Sequence, residues 1–143
     1  MSEGFFAELS ADLLHHGHSV RFRAKGESMH PTIREGEAIT VEPVKPSDVR
    51  FADIILYRAE KAVIAHRVVG RRNINGTVRT FLVRGDAVKD HDKPVADDQV
   101  LGKVVSVERG GRTIVMDRRT AKIWHLGRLF VYRIKRQINP FGL

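Results

Sequence analysis

The sequence contains no cysteine, which excludes disulfide bonds, zinc sites built on thiolates and a cysteine nucleophile. It also lacks an apolar run of the roughly 18 to 20 residues that a membrane-spanning helix needs. The N-terminal region carries Glu3, Glu8 and Asp12, so it does not have the positively charged start of a signal peptide. We therefore expect a protein without a transmembrane segment or signal peptide, either cytoplasmic or peripherally bound to a membrane.

Acidic residues are also absent beyond Asp117, and the formal net charge of the whole chain is +8. Cations crowd this final stretch: Arg118, Arg119, Lys122, Arg128, Arg133, Lys135 and Arg136. Such a charge favours anionic partners, either a lipid surface or nucleic acid. Nucleic acid is the less favoured partner, because the sequence has no recognisable helix-turn-helix and no basic groove with interleaved aromatic residues.

With 143 residues, the chain is long enough for one domain with a hydrophobic core and too short for two ordinary ones. Residues 1–17 predict a short amphipathic helix that Gly17 ends, because apolar residues recur at spacings of three and four: Phe5, Phe6, Leu9, Leu13 and Leu14. Residues 18–117 predict the main body of the domain, and residues 118–143 a basic C-terminal helix. We treat the three parts as one structural unit.

Residues 18–117 are typical of a mainly β fold. Seven short segments rich in Val, Ile, Phe and Thr predict strands: Val20–Ala24, Ala38–Val44, Asp53–Arg58, Ala62–Arg71, Val78–Gly85, Val100–Arg109 and Arg112–Asp117. Asn75-Gly76 and Gly110-Gly111 each separate two strands and suit hairpin turns that need positive φ. Hairpins join antiparallel neighbours, so we expect an antiparallel sheet.

The C-terminal segment from Thr120 to Arg136 has a helical stripe with cations beside it: Ile123, Trp124, Gly127, Phe130, Val131 and Ile134. Two interpretations stay open. The helix packs its stripe on its own domain, as most amphipathic helices do, or it lies on an anionic membrane surface, which attracts an aromatic stripe flanked by Lys and Arg.

Ser28 is the first candidate for chemistry. It stands in the segment Gly26-Glu27-Ser28-Met29-His30-Pro31-Thr32, where Gly26 permits close backbone approach and Pro31 suits the first turn of a helix. Ser28 is then expected at a turn-to-helix junction, with its own N–H facing a developing oxyanion. The alternative is that Ser28 only caps the helix, since a serine hydroxyl needs a base before it attacks.

His66 is the candidate base. Alternation along the strand places Ile64, His66 and Val68 on the inward face and Arg67 on the outward face. An inward histidine is more often a core residue than a catalyst. It becomes a base only where an acidic group holds its second nitrogen.

Three aspartates after the fifth predicted strand are candidates for that acidic group: Asp86, Asp90 and Asp92. The alternative is a solvated acidic turn. A calcium loop does not fit, because Lys89 and Lys93 intrude and no glutamate ends the segment at EF-hand spacing. The histidines at 15, 16 and 18 have no second set of ligands, so we expect no metal and no cofactor.

Taken together, these segments resemble the type I signal peptidase family, and within it the archaeal and endoplasmic-reticulum branch, which uses serine and histidine. The matching stretches cover about residues 20 to 107: Gly26-Glu27-Ser28-Met29-His30-Pro31-Thr32-Ile33 with Gly36, Asp53-Ile54-Ile55-Leu56-Tyr57, His66-Arg67-Val68-Val69, Gly85-Asp86 with Asp92, and Val100-Leu101-Gly102-Lys103-Val104. The resemblance implies a catalytic domain of coiled antiparallel β-sheets.

The same resemblance implies that Ser28 is the nucleophile, His66 the general base and Asp92 the aspartate that orients it. Asp86, Met29 and Gly26 are supporting residues of these motifs. The sequence departs from the family in four places. The membrane anchor is replaced by the short N-terminal helix, and Gly26 stands where signal peptidases commonly have a serine that assists the oxyanion hole. Glu37 and Ala52 replace an aspartate and a glycine of the family, without touching the proposed chemistry.

The function that follows from the resemblance is a serine endopeptidase that cleaves a leader or signal-like segment from a protein through an acyl-enzyme. Its partner is a protein or peptide substrate, extended along a strand edge with small residues before the scissile bond. The alternative is a domain of the same fold that catalyses weakly and docks peptides or membranes.

Overall fold

The computed structural model describes residues 3–74 and 78–116. It opens with the predicted helix, α1, at Glu3–His15. Gly17 ends α1 with a φ of +86°, while the N–H groups of Gly17 and His18 donate to the carbonyls of Leu14 and Leu13. This pattern is a Schellman motif, in which a glycine tolerates the left-handed conformation.

The face that α1 buries matches the predicted stripe only in part. Ala7, Ser10 and Leu14 are buried, whereas Phe5 and Leu9 are 54% and 42% exposed. The prediction was wrong for Phe5 and Leu9, because the spacing of apolar residues cannot tell which of two adjacent stripes meets the sheet. The other members of the predicted stripe do contact the domain: Leu13 and Leu14 pack in a core cluster, and Phe6 packs against Phe22 of the first strand.

Eight strands form one antiparallel sheet within the described residues. They are β1 (Val20–Arg23), β2 (Ala38–Pro43), β3 (Ile54–Ala59), β4 (Ala62–Ile74), β5 (Val78–Arg84), β6 (Val95–Ala96), β7 (Val100–Arg109) and β8 (Arg112–Val115). The strand order is β1-β2-β7-β3-β4-β5-β6, with β8 paired to β7. The mainly β, antiparallel prediction is confirmed; β6 went unpredicted because it has only two residues.

The predicted hairpin at Gly110-Gly111 is confirmed. Both glycines have positive φ, +56° and +75°, and Arg109 pairs with Arg112 across the turn. Two successive left-handed residues match the twist of antiparallel strands. The turn predicted at Asn75-Gly76 and the basic helix predicted at residues 118–143 lie outside the described residues.

Strand β3 carries a core on both of its faces. Ile54 and Leu56 belong to one hydrophobic cluster, with Leu14 of α1, and the alternating Ile55 and Tyr57 belong to the other. Alternate residues of a strand point to opposite faces, so β3 is buried on both sides.

No helix among the described residues is long and apolar enough to cross a membrane.

An ion pair fastens the segment before β2 to the end of β7. Arg109 donates from Nε to Glu37 Oε2 at 2.5 Å and from Nη2 to Oε1 at 2.8 Å. The same Nη2 reaches the carbonyls of Pro31 and Thr32 at 3.1 Å. These contacts, with the hydrogen bond from Arg109 as the largest cause, hold the pKa of Glu37 below its ordinary value of 4.5.

We expect Glu37→Gln to lower the free energy of unfolding at pH 7 by about 2 kcal/mol, because Arg109 keeps a partly buried charge without its charged partner. A carboxylate with a lowered pKa stabilises the fold above its ordinary pKa, and this contribution disappears as the pH falls through the folded-state value. Urea unfolding of wild type and variant should therefore converge at acidic pH. The exposed Glu42→Gln is the matched control, and a difference that stays constant with pH would contradict the assignment.

Candidate active site

Ser28 lies in a series of turns rather than at the start of a helix. The carbonyl of Ala24 accepts a hydrogen bond from Gly36 N–H, and the N–H of Ala24 donates to the carbonyl of Glu37. Residues 25–36 therefore form a loop that leaves the sheet and returns to it. Gly36, with a φ of +84°, turns the chain back. The helix predicted after Pro31 was wrong, because the segment must return too soon, and Ser28 does not cap a helix.

The backbone of Ser28 is held by the turn that follows β5. The N–H of Ala87 donates to the carbonyl of Ser28 at 2.9 Å. A Cβ at Gly85 would lie 2.5 Å from that carbonyl oxygen and 3.1 Å from the Ser28 Cβ. Only glycine permits this approach, so Gly85 determines how closely the turn supports Ser28.

His66 lies on β4 and its imidazole reaches Ser28. The distance from His66 Nε2 to Ser28 Oγ is 3.0 Å, and His66 is 7% exposed. On its other side, Nδ1 contacts Oδ2 of Asp92. When Nδ1 donates its proton to the carboxylate, Nε2 is left unprotonated and accepts the Ser28 hydroxyl proton. The residues proposed from the sequence as nucleophile, base and orienter form one continuous chain of contacts.

Asp92 is the partly exposed carboxylate of this chain of contacts. Its side chain is 33% exposed, and its N–H donates to the carbonyl of Val83 at 2.9 Å. Tyr57 on β3 also donates from Oη to Asp92 Oδ2, at 2.6 Å. Burial, and then the neighbouring carboxylate, raise the pKa of Tyr57 far above its ordinary value, so its hydroxyl keeps its proton.

Arg67 is buried, which corrects the prediction that it faces outward. It is 6% exposed, and it donates to Asp86 from Nε at 2.9 Å and from Nη2 at 3.1 Å. Its Nη1 donates to the carbonyl of Ala52 at 2.5 Å. Alternation predicted exposure because it assumes one solvated face, whereas β4 is enclosed at this point on both faces. Burial lowers the pKa of Arg67, and Asp86 opposes that shift.

Asp86 joins Arg67 to the loop that carries Ser28. Its Oδ2 accepts a hydrogen bond from Thr32 Oγ1 at 2.6 Å, and its N–H lies 3.4 Å from Met29 Sδ. Met29 is itself buried in the core. Asp86 thus contacts two residues of the loop that carries Ser28, Thr32 and Met29.

Gly26 is exposed and has a φ of +80°, a conformation that disfavours any side chain. A serine here would meet no neighbouring atom, but its backbone would be strained. Among the described residues, the N–H of Ser28 has no acceptor. Stabilisation of an oxyanion would therefore rest on backbone N–H groups, beginning with that of Ser28.

An apolar groove of about 580 Å³ opens beside the Ser28 hydroxyl. Residues 22–26 line one side, residues 62–66 line the other, and Phe6 of α1 also borders it. Among the described strands, β1 pairs only with β2, and residues 62–66 pair only with β3 because pairing to β5 begins at Arg67. Both sides of the groove therefore offer backbone groups to an extended chain.

The described residues contain no group of three or more His, Cys, Asp or Glu side chains placed to hold a metal ion. No protein-family model matches the chain, and no curated protein matches it either. The function must therefore be argued from the site itself.

The sequence did not reveal Tyr57 as a contact of Asp92 or Thr32 as a contact of Asp86. A signal was present for Tyr57, because a tyrosine in an apolar strand needs a hydrogen-bond partner for its hydroxyl. The pattern could not name Asp92 as that partner, since 35 residues separate them along the chain. The contact depends on how β3 and the later loop meet.

We expect Gly85→Ala to slow the labelling of Ser28 by a serine-directed acylating probe by about tenfold or more, because the new methyl group displaces the Ser28 backbone. Gly102→Ala is the matched control: its Cβ would lie 2.5 Å from the Glu42 carbonyl oxygen, an equally tight contact away from Ser28. Both variants should melt at lower temperature, but only Gly85→Ala should label slowly once rates are corrected for the folded fraction. Equal labelling of the two variants would contradict this account.

Proposed function

We propose that this protein is a serine endopeptidase of the signal-peptidase type, which cleaves a leader or signal-like segment from another protein. The observation that carries the proposal is the chain of contacts from Ser28 Oγ through both nitrogens of His66 to Asp92, at the mouth of an apolar groove. A histidine contacting both a serine and a carboxylate matches the roles of a catalytic triad.

In the first half of the reaction, Ser28 Oγ attacks the carbonyl carbon of the scissile peptide bond while His66 Nε2 takes the hydroxyl proton. Asp92 stabilises the imidazolium that forms. The backbone N–H of Ser28 is the candidate donor to the oxyanion. His66 then returns the proton to the leaving amine, the C–N bond breaks, and the acyl group stays on Ser28.

In the second half, water replaces the amine. His66 removes a proton from the water as it attacks the ester, and then protonates Ser28 Oγ as the acid product leaves. Each proton taken up is released within the cycle, and no external oxidant or reductant is needed. The reaction is a peptide-bond hydrolysis through an acyl-enzyme.

The groove supports an extended peptide as the substrate. From residue 62 to residue 66 its wall spans roughly 13 Å, about the length of four extended residues. The unpaired backbone on its two sides suits main-chain hydrogen bonds, and its apolar lining suits small or aliphatic side chains. A leader or signal-like segment can bind as an extended chain, and it carries small or aliphatic side chains. The membrane surface proposed as a further partner rests on the sequence of residues 118–143 alone.

We expect Ser28→Ala, His66→Ala and Asp92→Asn each to reduce cleavage of leader-type peptides by about 10³-fold or more, because each removes one member of a group that acts as a unit. Mass spectrometry of candidate leader-bearing proteins, before and after incubation, reports both activity and cleavage site. Melting curves should show that all three variants remain folded.

The chain offers matched controls for each substitution: Ser47→Ala, His91→Ala and Asp90→Asn, all at exposed positions. These variants should cleave at the wild-type rate. Full activity in Ser28→Ala would overturn the proposal. Binding of leader peptides by the wild type without any cleavage or labelling of Ser28 would favour a docking domain instead.

A further inference from the structure

We propose that Tyr57 is a positioning residue, whose hydroxyl holds Asp92 against His66. This inference rests on the proposed function for its effect on rate, but the contact itself can be tested without catalysis. Its basis is that Tyr57 Oη and His66 Nδ1 contact the same oxygen, Oδ2 of Asp92.

The loop that carries Asp92 gives the carboxylate little support of its own. The residues around it are exposed: Lys89, Asp90, His91, Lys93 and Pro94. The backbone bond from Asp92 N–H to Val83 fixes the main chain, but it does not set the torsion angles of the side chain. A carboxylate that is one third exposed can rotate towards water unless a protein donor holds it.

Tyr57 supplies such a donor from the most enclosed strand of the sheet. It is 3% exposed, and β3 is flanked by β4 and β7. Its ring packs in the cluster that contains Val49, Val68 and Phe81. Because the ring cannot move without disturbing that core, its hydroxyl is a fixed point for the loop.

Strand register explains why Tyr57 and His66 reach one oxygen. Ile55 lies opposite His66 and Tyr57 lies opposite Ile64, so Tyr57 and His66 are diagonal neighbours on the same face. Their ring centroids are 6.3 Å apart with an interplanar angle of 65°. The strand pair therefore holds both donors in a constant geometry, and the loop aspartate docks between them.

Tyr57 and His66 both donate to Oδ2 of Asp92, but the two donors have different roles. The hydroxyl of Tyr57 stays protonated and only orients the carboxylate, whereas the imidazole changes its charge during the reaction. With the carboxylate held, Nδ1 keeps its proton and Nε2 stays directed at Ser28. Without Tyr57, Asp92 would spend part of its time turned towards solvent, and the serine would be activated less often.

The test variant is Tyr57→Phe, which removes the hydroxyl and keeps the ring. We expect kcat for peptide cleavage and the rate of Ser28 labelling both to fall by about tenfold or more, with KM changed by less than about twofold, because the substrate groove is untouched. In an Asp92→Ala background the same change should cost less than about twofold, since Tyr57 acts only through Asp92.

A purely structural role predicts a different pattern. It would lower activity equally in both backgrounds, in proportion to the folded fraction. Val49→Ala is the control for this case, because it opens a cavity in the same cluster without removing a contact to Asp92. It should lower the melting temperature while leaving the labelling rate per folded molecule near the wild-type value.

Proton NMR of the His66 ring tests the contact directly. The Nδ1–H signal should be visible in the wild type and should broaden or vanish in Tyr57→Phe, because a released carboxylate exposes this proton to exchange with water. An unchanged signal, or an unchanged labelling rate, in Tyr57→Phe would overturn the role of Tyr57 and leave the proposed function standing. If the wild type neither cleaves nor labels, the proposed function fails, and the NMR result alone decides whether Tyr57 positions Asp92.

Discussion

The buried ion pair between Arg67 and Asp86 is the interaction on which the rest of the site depends. Arg67 joins Asp86 to the carbonyl of Ala52 before β3, and Asp86 in turn binds Thr32 in the loop that carries Ser28. Four separate segments thus meet at one pair of charges: β4, the turn after β5, the residues before β3 and the loop that carries Ser28. Removing either partner would strand a charge away from water, which typically costs 3–5 kcal/mol. The turn that contains Asp86 also supports the Ser28 carbonyl through Ala87, so the ion pair and this turn together hold the loop that carries Ser28.

The three proposed catalytic groups come from structures of different rigidity. His66 is part of a long central strand, and its neighbours in the sheet restrict its backbone. Ser28 and Asp92 are on loops, and each is fastened to the sheet by a few specific contacts. This division is common in enzymes, where a rigid scaffold positions reactive loops. In this protein the loops are held by the close approach of Gly85 to Ser28, the ion pair between Arg67 and Asp86, and the hydrogen bond from Tyr57 to Asp92.

The groove follows from the way the sheet is paired. Because β5 begins to pair with β4 only at Arg67, the preceding residues of β4 keep an unpaired backbone edge. His66 stands at the point where this pairing changes. The contact between His66 and Ser28 therefore lies at the end of this unpaired edge, and both residues line the groove.

Most of the fold could be read from the sequence, because strand periodicity, hairpin glycines and the end of α1 are local properties. The order of Ser28, His66 and Asp92 along the chain was enough to propose them together. Their distances were decided only by tertiary structure, as were the burial of Arg67, the turn in place of a helix after Ser28 and the contact of Tyr57 with Asp92. Each of these joins residues far apart in the chain, and a pattern of neighbouring residues carries no information on which strands become buried on both faces.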